Sequence, residues 1–306
     1  MQKYKIFLTV LIVYVLLNMV IFPDMYMSVT LNGLTAWALN VLPSVLPFIF
    51  FTKVLSSLGC VERVSKIFSK PCKKLFRTSP LSAYVFFTSI ISGYPVGAKM
   101  TADLYQSGHI TKSDAFKMTS FCSTSGPMFI IGAVGIGMLA NPIYGYIMLT
   151  SHILGAFFNG LLYRNINPKD DGKKTELNLA SKKANFAEMV TDSALSIITV
   201  GAIIAIFFVV ITSFAPIFNL FPPEISCVLE GLIEITKGCI DISGSLSGNI
   251  AVIACTFVIS FGGLSTILQS IAMLDKLNMP IWLFILQKFT HAVTSTVFAI
   301  LFVLLV

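Results

Sequence analysis

Few residues in this chain could do chemistry, and most of them stand where an apolar run is interrupted. In the stretch Glu234-Ile235-Thr236-Lys237-Gly238-Cys239 an acid and a base lie three apart, with Glu230 one turn earlier. Charges at that spacing can pair on a helix. They either neutralise one another for structure, or Glu234 handles a coupling cation or a solute donor while Lys237 meets an anion. Lys99 holds the matching place after Ser92-Gly93-Tyr94-Pro95-Val96-Gly97-Ala98. Ionisable groups at membrane depth cost roughly 2.5–3.5 kcal/mol each on insertion scales, so those that persist invite a functional reading. Lys53 and Lys288 also fall inside apolar runs, and both are read as snorkelling to the inner surface. Neutral hydrogen-bonding groups crowd the same interruptions: Ser92, Tyr94, Ser123, Thr124, Ser125, Thr236, Ser265 and Gln269. Gly93, Gly97, Gly126, Gly238, Gly262 and Gly263 let backbone approach a ligand closely.

Other chemistries find little support. His109, His152 and His291 have no metal-ligand spacing, and His291 is read as bonding a neighbour within an apolar helix. The cysteines 60, 72, 122, 227, 239 and 255 form no CxxC pair and read as small core residues. Neither a GxSxG elbow nor an HExxH helix occurs, so a membrane protease is disfavoured and no catalytic residue is assigned. No metal or cofactor is expected, and coupling to Na+ or H+ is open. The net charge of +7 gathers in loops between apolar runs, which fits the positive-inside bias and speaks against nucleic acid as a partner.

The elements that must position these residues are helices in a bilayer. Of 306 residues, 56% are hydrophobic and only 11% charged, with a mean hydropathy of +0.86. Soluble domains carry about 25% charged residues, and a bilayer helix needs roughly 20 apolar ones. Residues 1–40 read as an uncleaved first span, Ile6 to Phe22, then a helix lying on the membrane from Met25 to Asn40, with Trp37 at headgroup level. Residues 41–164 read as span, hairpin, broken span, span: the hairpin breaks at Ser92 and the span at Cys122-Ser123-Thr124-Ser125-Gly126-Pro127. Residues 165–185 read as a cytoplasmic linker. Residues 186–306 repeat the order, with breaks at Glu234 to Cys239 and at Ser260-Phe261-Gly262-Gly263-Leu264-Ser265. Non-helical backbone at membrane depth survives only inside protein or beside a water-filled cavity.

A cytoplasmic N-terminus places the basic stretch from Cys60 to Ser79, the linker and Asp275-Lys276 inside. It places Met25 to Asn40, Asn141-Pro142 and Leu220 to Glu224 outside, where no Lys or Arg occurs. The halves then have opposite topology. The expected fold is all-α and polytopic: an inverted repeat with about seven spanning helices, two re-entrant hairpins and two unwound helices. Folds of that kind hold their solute near the midplane, between discontinuous helices.

The motifs SGYPVGAK, CSTSGPMFIIGAVGIGM, GLIEITKGC and SFGGLSTILQ resemble those of the YlbJ-type (SpoVV) sporulation integral membrane proteins. These lie in the nucleoside-recognition (Gate) domain class, itself similar to concentrative nucleoside transporters. The resemblance runs from about Leu42 to Leu301. It implies endospore formation, and movement of dipicolinic acid through the outer forespore membrane. Carried over by motif, Ser92 to Lys99, Ser123 to Ser125, Glu234 to Gly238 and Gly262 to Gln269 line the site. A nucleoside or other polar metabolite is the alternative solute, and a non-transporting assembly factor of the sporulating membrane the alternative role. The expected partners are the lipid bilayer of a bacterial cell membrane and a small solute, dicarboxylate or nucleoside-like. Whether the chain forms a homo-oligomer is open.

Overall fold

A computed structural model describes residues 2–168 and 185–305. Most of the expected linker, residues 169–184, therefore lies outside the described residues. Every regular element among them is helical. The chain opens with α1 (Gln2–Ile21) and α2 (Pro23–Ala36), then passes through a π segment (Trp37–Val41) into α3 (Leu42–Ser57). Amphipathic α4 (Cys60–Phe76) follows, then α5 (Leu81–Ser92), α6 (Val96–Gln106), α7 (Lys112–Met118), a second π segment (Phe129–Met138) and α8 (Pro142–Leu162). The rest comprises α9 (Phe186–Ser213), α10 (Ala215–Phe218), α11 (Pro223–Gly231), α12 (Ile235–Ser245), α13 (Gly248–Phe261), α14 (Gly263–Leu274) and α15 (Ile281–Val303). Among the described residues, five helical stretches are long and apolar enough to cross a bilayer, beginning at Pro23, Pro142, Phe186, Gly248 and Ile281. Three shorter apolar helices accompany them: Leu8–Ile21, Leu81–Ser92 and Phe129–Met138.

Local chemistry sets the helix ends. Thr111 and Asp114 close a capping box at the start of α7, and Asn185 and Glu188 close another on α9. Proline stands at the first position of α8 and α11, where its missing N–H costs nothing. Asp114 also accepts from the Ser79 amide at 2.9 Å, which anchors the entry to α5.

The N-terminal region differs from expectation. Residues 23–55 form one continuous apolar helical stretch, so there is no separate surface helix before the span. Trp37 is half-buried and its indole N–H donates to the Ile197 carbonyl at 3.1 Å. Its ring lies against Gly201, where a Cβ would come within 2.7 Å. An indole with a protein carbonyl for its N–H and a glycine beneath its face belongs to a helix–helix contact.

The four breaks appear, in places shifted. α5 ends at Ser92, Gly93 takes a left-handed φ of +74°, and α6 starts at Val96. The second break starts earlier than expected, running from Thr119 to Gly126. The third falls earlier, at Leu232 to Glu234, so Lys237, Gly238 and Cys239 lie inside α12. The fourth narrows to Gly262 with φ +92°. Each half thus reads long helix, broken short pair, interrupted helix, long helix.

Candidate solute site

The four breaks meet. The first and second touch through backbone: a Cβ at Gly97 would sit 1.6 Å from the Cys122 carbonyl oxygen. Ser89 and Thr124 share a hydrogen bond of 2.9 Å across the same contact. The third and fourth are joined by the Leu264 amide donating to the Leu232 carbonyl at 2.8 Å, and the Ser265 amide to the Ile233 carbonyl at 3.0 Å. Carbonyls that the helices leave open are thereby partly satisfied within protein.

Between the breaks lies a cavity of about 110 Å³. Ser92, Gly93 and Tyr94 line it from the first break, and Ser125 and Gly126 from the second. Glu234 and Thr236 come from the third, Ser265, Thr266 and Gln269 from the fourth. The facing wall is apolar, built by Val45, Phe48 and Ile49 of α3 and Val200, Ile203 and Ile204 of α9. Polar groups on one side and apolar groups on the other suit a small amphipathic ligand.

Of the residues singled out in the sequence, Ser92, Gly93, Tyr94, Ser125, Gly126, Glu234, Thr236, Ser265 and Gln269 line this cavity. Glu234 is 3% exposed and caps α12, its Oε2 accepting from the Lys237 amide at 2.8 Å. The Ser265 hydroxyl is buried with no hydrogen-bond partner in the structure, a donor open to a ligand. Ser123, Thr124, Gly262 and Gly263 lie behind the wall in the same breaks. Lys99 and Lys237 do not line the cavity. Lys99 is exposed on α6. Lys237 does not pair with the Glu234 side chain; its Nζ bonds Glu230 at 2.9 Å, and also Asp241. That trio lines a separate open cleft with Ser226 and Asn219. Once Glu234 becomes the cap of α12, its carboxylate turns back to the helix amides, and Lys237, one turn on, faces Glu230 and Asp241.

One residue behind the cavity was read differently in the sequence. Lys288 does not snorkel. It is 2% exposed, and its Nζ donates to the Tyr94 hydroxyl at 2.7 Å and the Ser123 carbonyl at 2.8 Å. His152 accepts from the Ser125 amide through Nε2 at 2.9 Å and meets the Ser260 hydroxyl through Nδ1 at 2.8 Å. His291 does bond a neighbour, the His152 carbonyl, at 3.0 Å. Gln287 bonds the Phe116 carbonyl and the Thr119 hydroxyl, both at 2.9 Å, fixing the approach to the second break. α8 and α15 therefore clamp the breaks from behind. Only the polarity of these residues within apolar helices could have signalled this.

Comparisons with known proteins bear on the fold that holds these residues. Residues 38–142 match the family model for nucleoside recognition (Gate). The chain is 27% identical over 322 aligned positions to the sporulation integral membrane protein YlbJ of Bacillus subtilis (strain 168), across 91% of this chain and 78% of that protein. It superposes on CNTnw captured in an intermediate state with a TM-score of 0.64 at 15% identity, covering 100% of this chain and 86% of that one. For an outward-facing CNTnw the TM-score is 0.62 at 16% identity, with the same coverage. For an inward-facing, substrate-bound CNTnw it is 0.58 at 15%, over 94% and 90% of the two chains. The chain has a concentrative nucleoside transporter fold. It is an all-helical, multi-pass integral membrane protein, and the Gate and YlbJ resemblance read from its motifs holds.

Proposed function

We propose that this protein carries a small polar solute across a bacterial membrane, and that the solute is dipicolinic acid, moved during endospore formation. The observation that carries transport is the convergence of all four breaks on one cavity, each contributing at least one hydrogen-bonding side chain. The resemblance to a sporulation membrane protein over nine-tenths of the chain supports the choice of solute. A flat aromatic dicarboxylate suits a cavity with apolar Phe48 and Phe129 on one side and the hydroxyls of Ser92, Ser125, Thr236 and Ser265 on the other. Glu234 is the one carboxyl group in the wall. A dianion shares so small a space with it only when a proton neutralises one of the charges, because like charges in low dielectric repel strongly. Glu234 is thus the group through which H+ accompanies the solute. In this reading the two halves are inverted repeats, the short pairs are re-entrant, the N-terminus is cytoplasmic and the membrane is the outer forespore membrane.

Glu234 also favours a second solute. An uncharged nucleoside offers donors to a carboxylate and needs no charge compensation. Uptake by proteoliposomes separates the readings: labelled dipicolinate accumulates if the first is right, labelled nucleoside if the second is. Flux of neither, from protein that is folded and inserted, refutes transport of both and leaves the assembly role.

A further inference from the structure

Lys288 is the most deeply buried lysine in the described structure, and no carboxylate answers it. The ion pairs found among the described residues all belong to Lys237. A buried ammonium without a counter-ion costs several kcal/mol unless other groups replace its water. Here oxygen and an aromatic face do so. The Ser123 carbonyl belongs to the second break and the Tyr94 hydroxyl to the first, and the ammonium also sits 4.5 Å from the Tyr94 ring centroid. The Tyr94 hydroxyl passes its own proton towards the Ile259 carbonyl at 3.3 Å, at the edge of the fourth break. The stem of Lys288 lies against Gly262 in that same break, where a Cβ would come within 3.3 Å of Cε. One ammonium thus gathers three of the four breaks, directly behind the cavity wall that Tyr94 lines.

Carbonyls freed in unwound backbone are the groups with which discontinuous membrane helices hold a coupling cation, and an aromatic ring attracts a cation in its own right. We propose that the Lys288 ammonium is a built-in cation occupying such a site, so that the breaks assemble around a covalently tethered positive charge and need no bound Na+. This deepens the transport reading above, in which the travelling ion is H+ at Glu234. Melting of the purified protein reads ion occupancy without reading flux, so failure here and failure of transport are distinguishable.

Substitution of Lys288 reopens the site in a predictable shape. Lys288→Met keeps the stem and ends about one atom short of the ammonium, leaving an ion-sized gap between the Ser123 carbonyl and the Tyr94 hydroxyl. Lys288→Ala removes three carbons and the nitrogen, the outline of n-propylammonium. The experiment is thermal melting in detergent at constant ionic strength, in choline, sodium or n-propylammonium chloride. Wild type should melt at the same temperature in all three. Lys288→Met should melt lower than wild type in choline and rise selectively in sodium. Lys288→Ala should melt lower in choline and rise in n-propylammonium. A sodium-specific rise for wild type, or a Lys288→Met protein that melts like wild type or ignores sodium, overturns the proposal. Should the alanine variant not fold, wild type and Lys288→Met decide alone.

Discussion

The contact between the first two breaks makes a prediction that can be worked in detail. Gly97 is buried in the first turn of α6 with ordinary helical backbone, so Gly97→Ala meets no conformational penalty of its own. The added methyl, however, would lie 1.6 Å from the Cys122 carbonyl oxygen, 2.8 Å from Cys122 C and 2.8 Å from Ser89 Cβ. Ordinary contact requires the two backbones to part by about 1.5 Å or more. Overpacking of this kind costs typically 1–3 kcal/mol, and backbone on the receiving side puts this case at the upper end. At roughly 2–4 °C per kcal/mol for a large domain, melting should fall by about 6–12 °C. The separation also stretches the Ser89–Thr124 bond and spoils the cavity between Ser92 and Ser125, so solute affinity should drop with stability. Gly244→Ala is the control: it lies in α12 with nothing within 4 Å of the new methyl. Alanine is about 1 kcal/mol better than glycine inside a helix, and near a helix end the gain is smaller, so this variant should melt at or slightly above wild type. If Gly97→Ala melts within a degree of Gly244→Ala, the two breaks do not pack as described.

Three further outcomes follow from the geometry. Glu234→Gln keeps an oxygen to accept from the Lys237 amide but loses the charge. Inserted protein should change in stability by about 1 kcal/mol while flux falls at least tenfold, and unchanged flux removes Glu234 from the mechanism. Lys237→Met leaves Glu230 and Asp241 facing each other in their own cleft; stability should fall by roughly 1–3 kcal/mol, read by denaturant melting, with solute affinity intact. Trp37→Phe removes the donor to the Ile197 carbonyl and should lower stability by about 1 kcal/mol, with no change in the membrane depth reported by fluorescence quenching at Trp282.

Much of this architecture was legible in the order of the residues. Ser92-Gly93-Tyr94-Pro95 and Cys122 to Pro127 cannot continue a helix, and their polar groups inside apolar runs pointed to a shared cavity. Paired prolines at 222 and 223 marked the turn into α11. Legibility failed where a side chain answers to a distant partner. Lys288 stands alone in an apolar helix, and the oxygens it bonds are 194 and 165 positions away. Trp37 has the composition of a headgroup anchor, yet its role depends on Gly201 and Ile197 in α9. Glu234 and Lys237 have the spacing of an ion pair, but a residue at a helix N-cap aims its side chain at backbone amides, and that choice depends on where the break falls.

The most direct test is equilibrium binding of labelled dipicolinate to purified protein carrying one substitution per break: Ser92→Ala, Ser125→Ala, Thr236→Val and Ser265→Ala. A solute resting among all four breaks predicts that every variant remains folded and binds more weakly than wild type. Undiminished binding in all four would contradict it, as would weakened binding confined to the variants of one half.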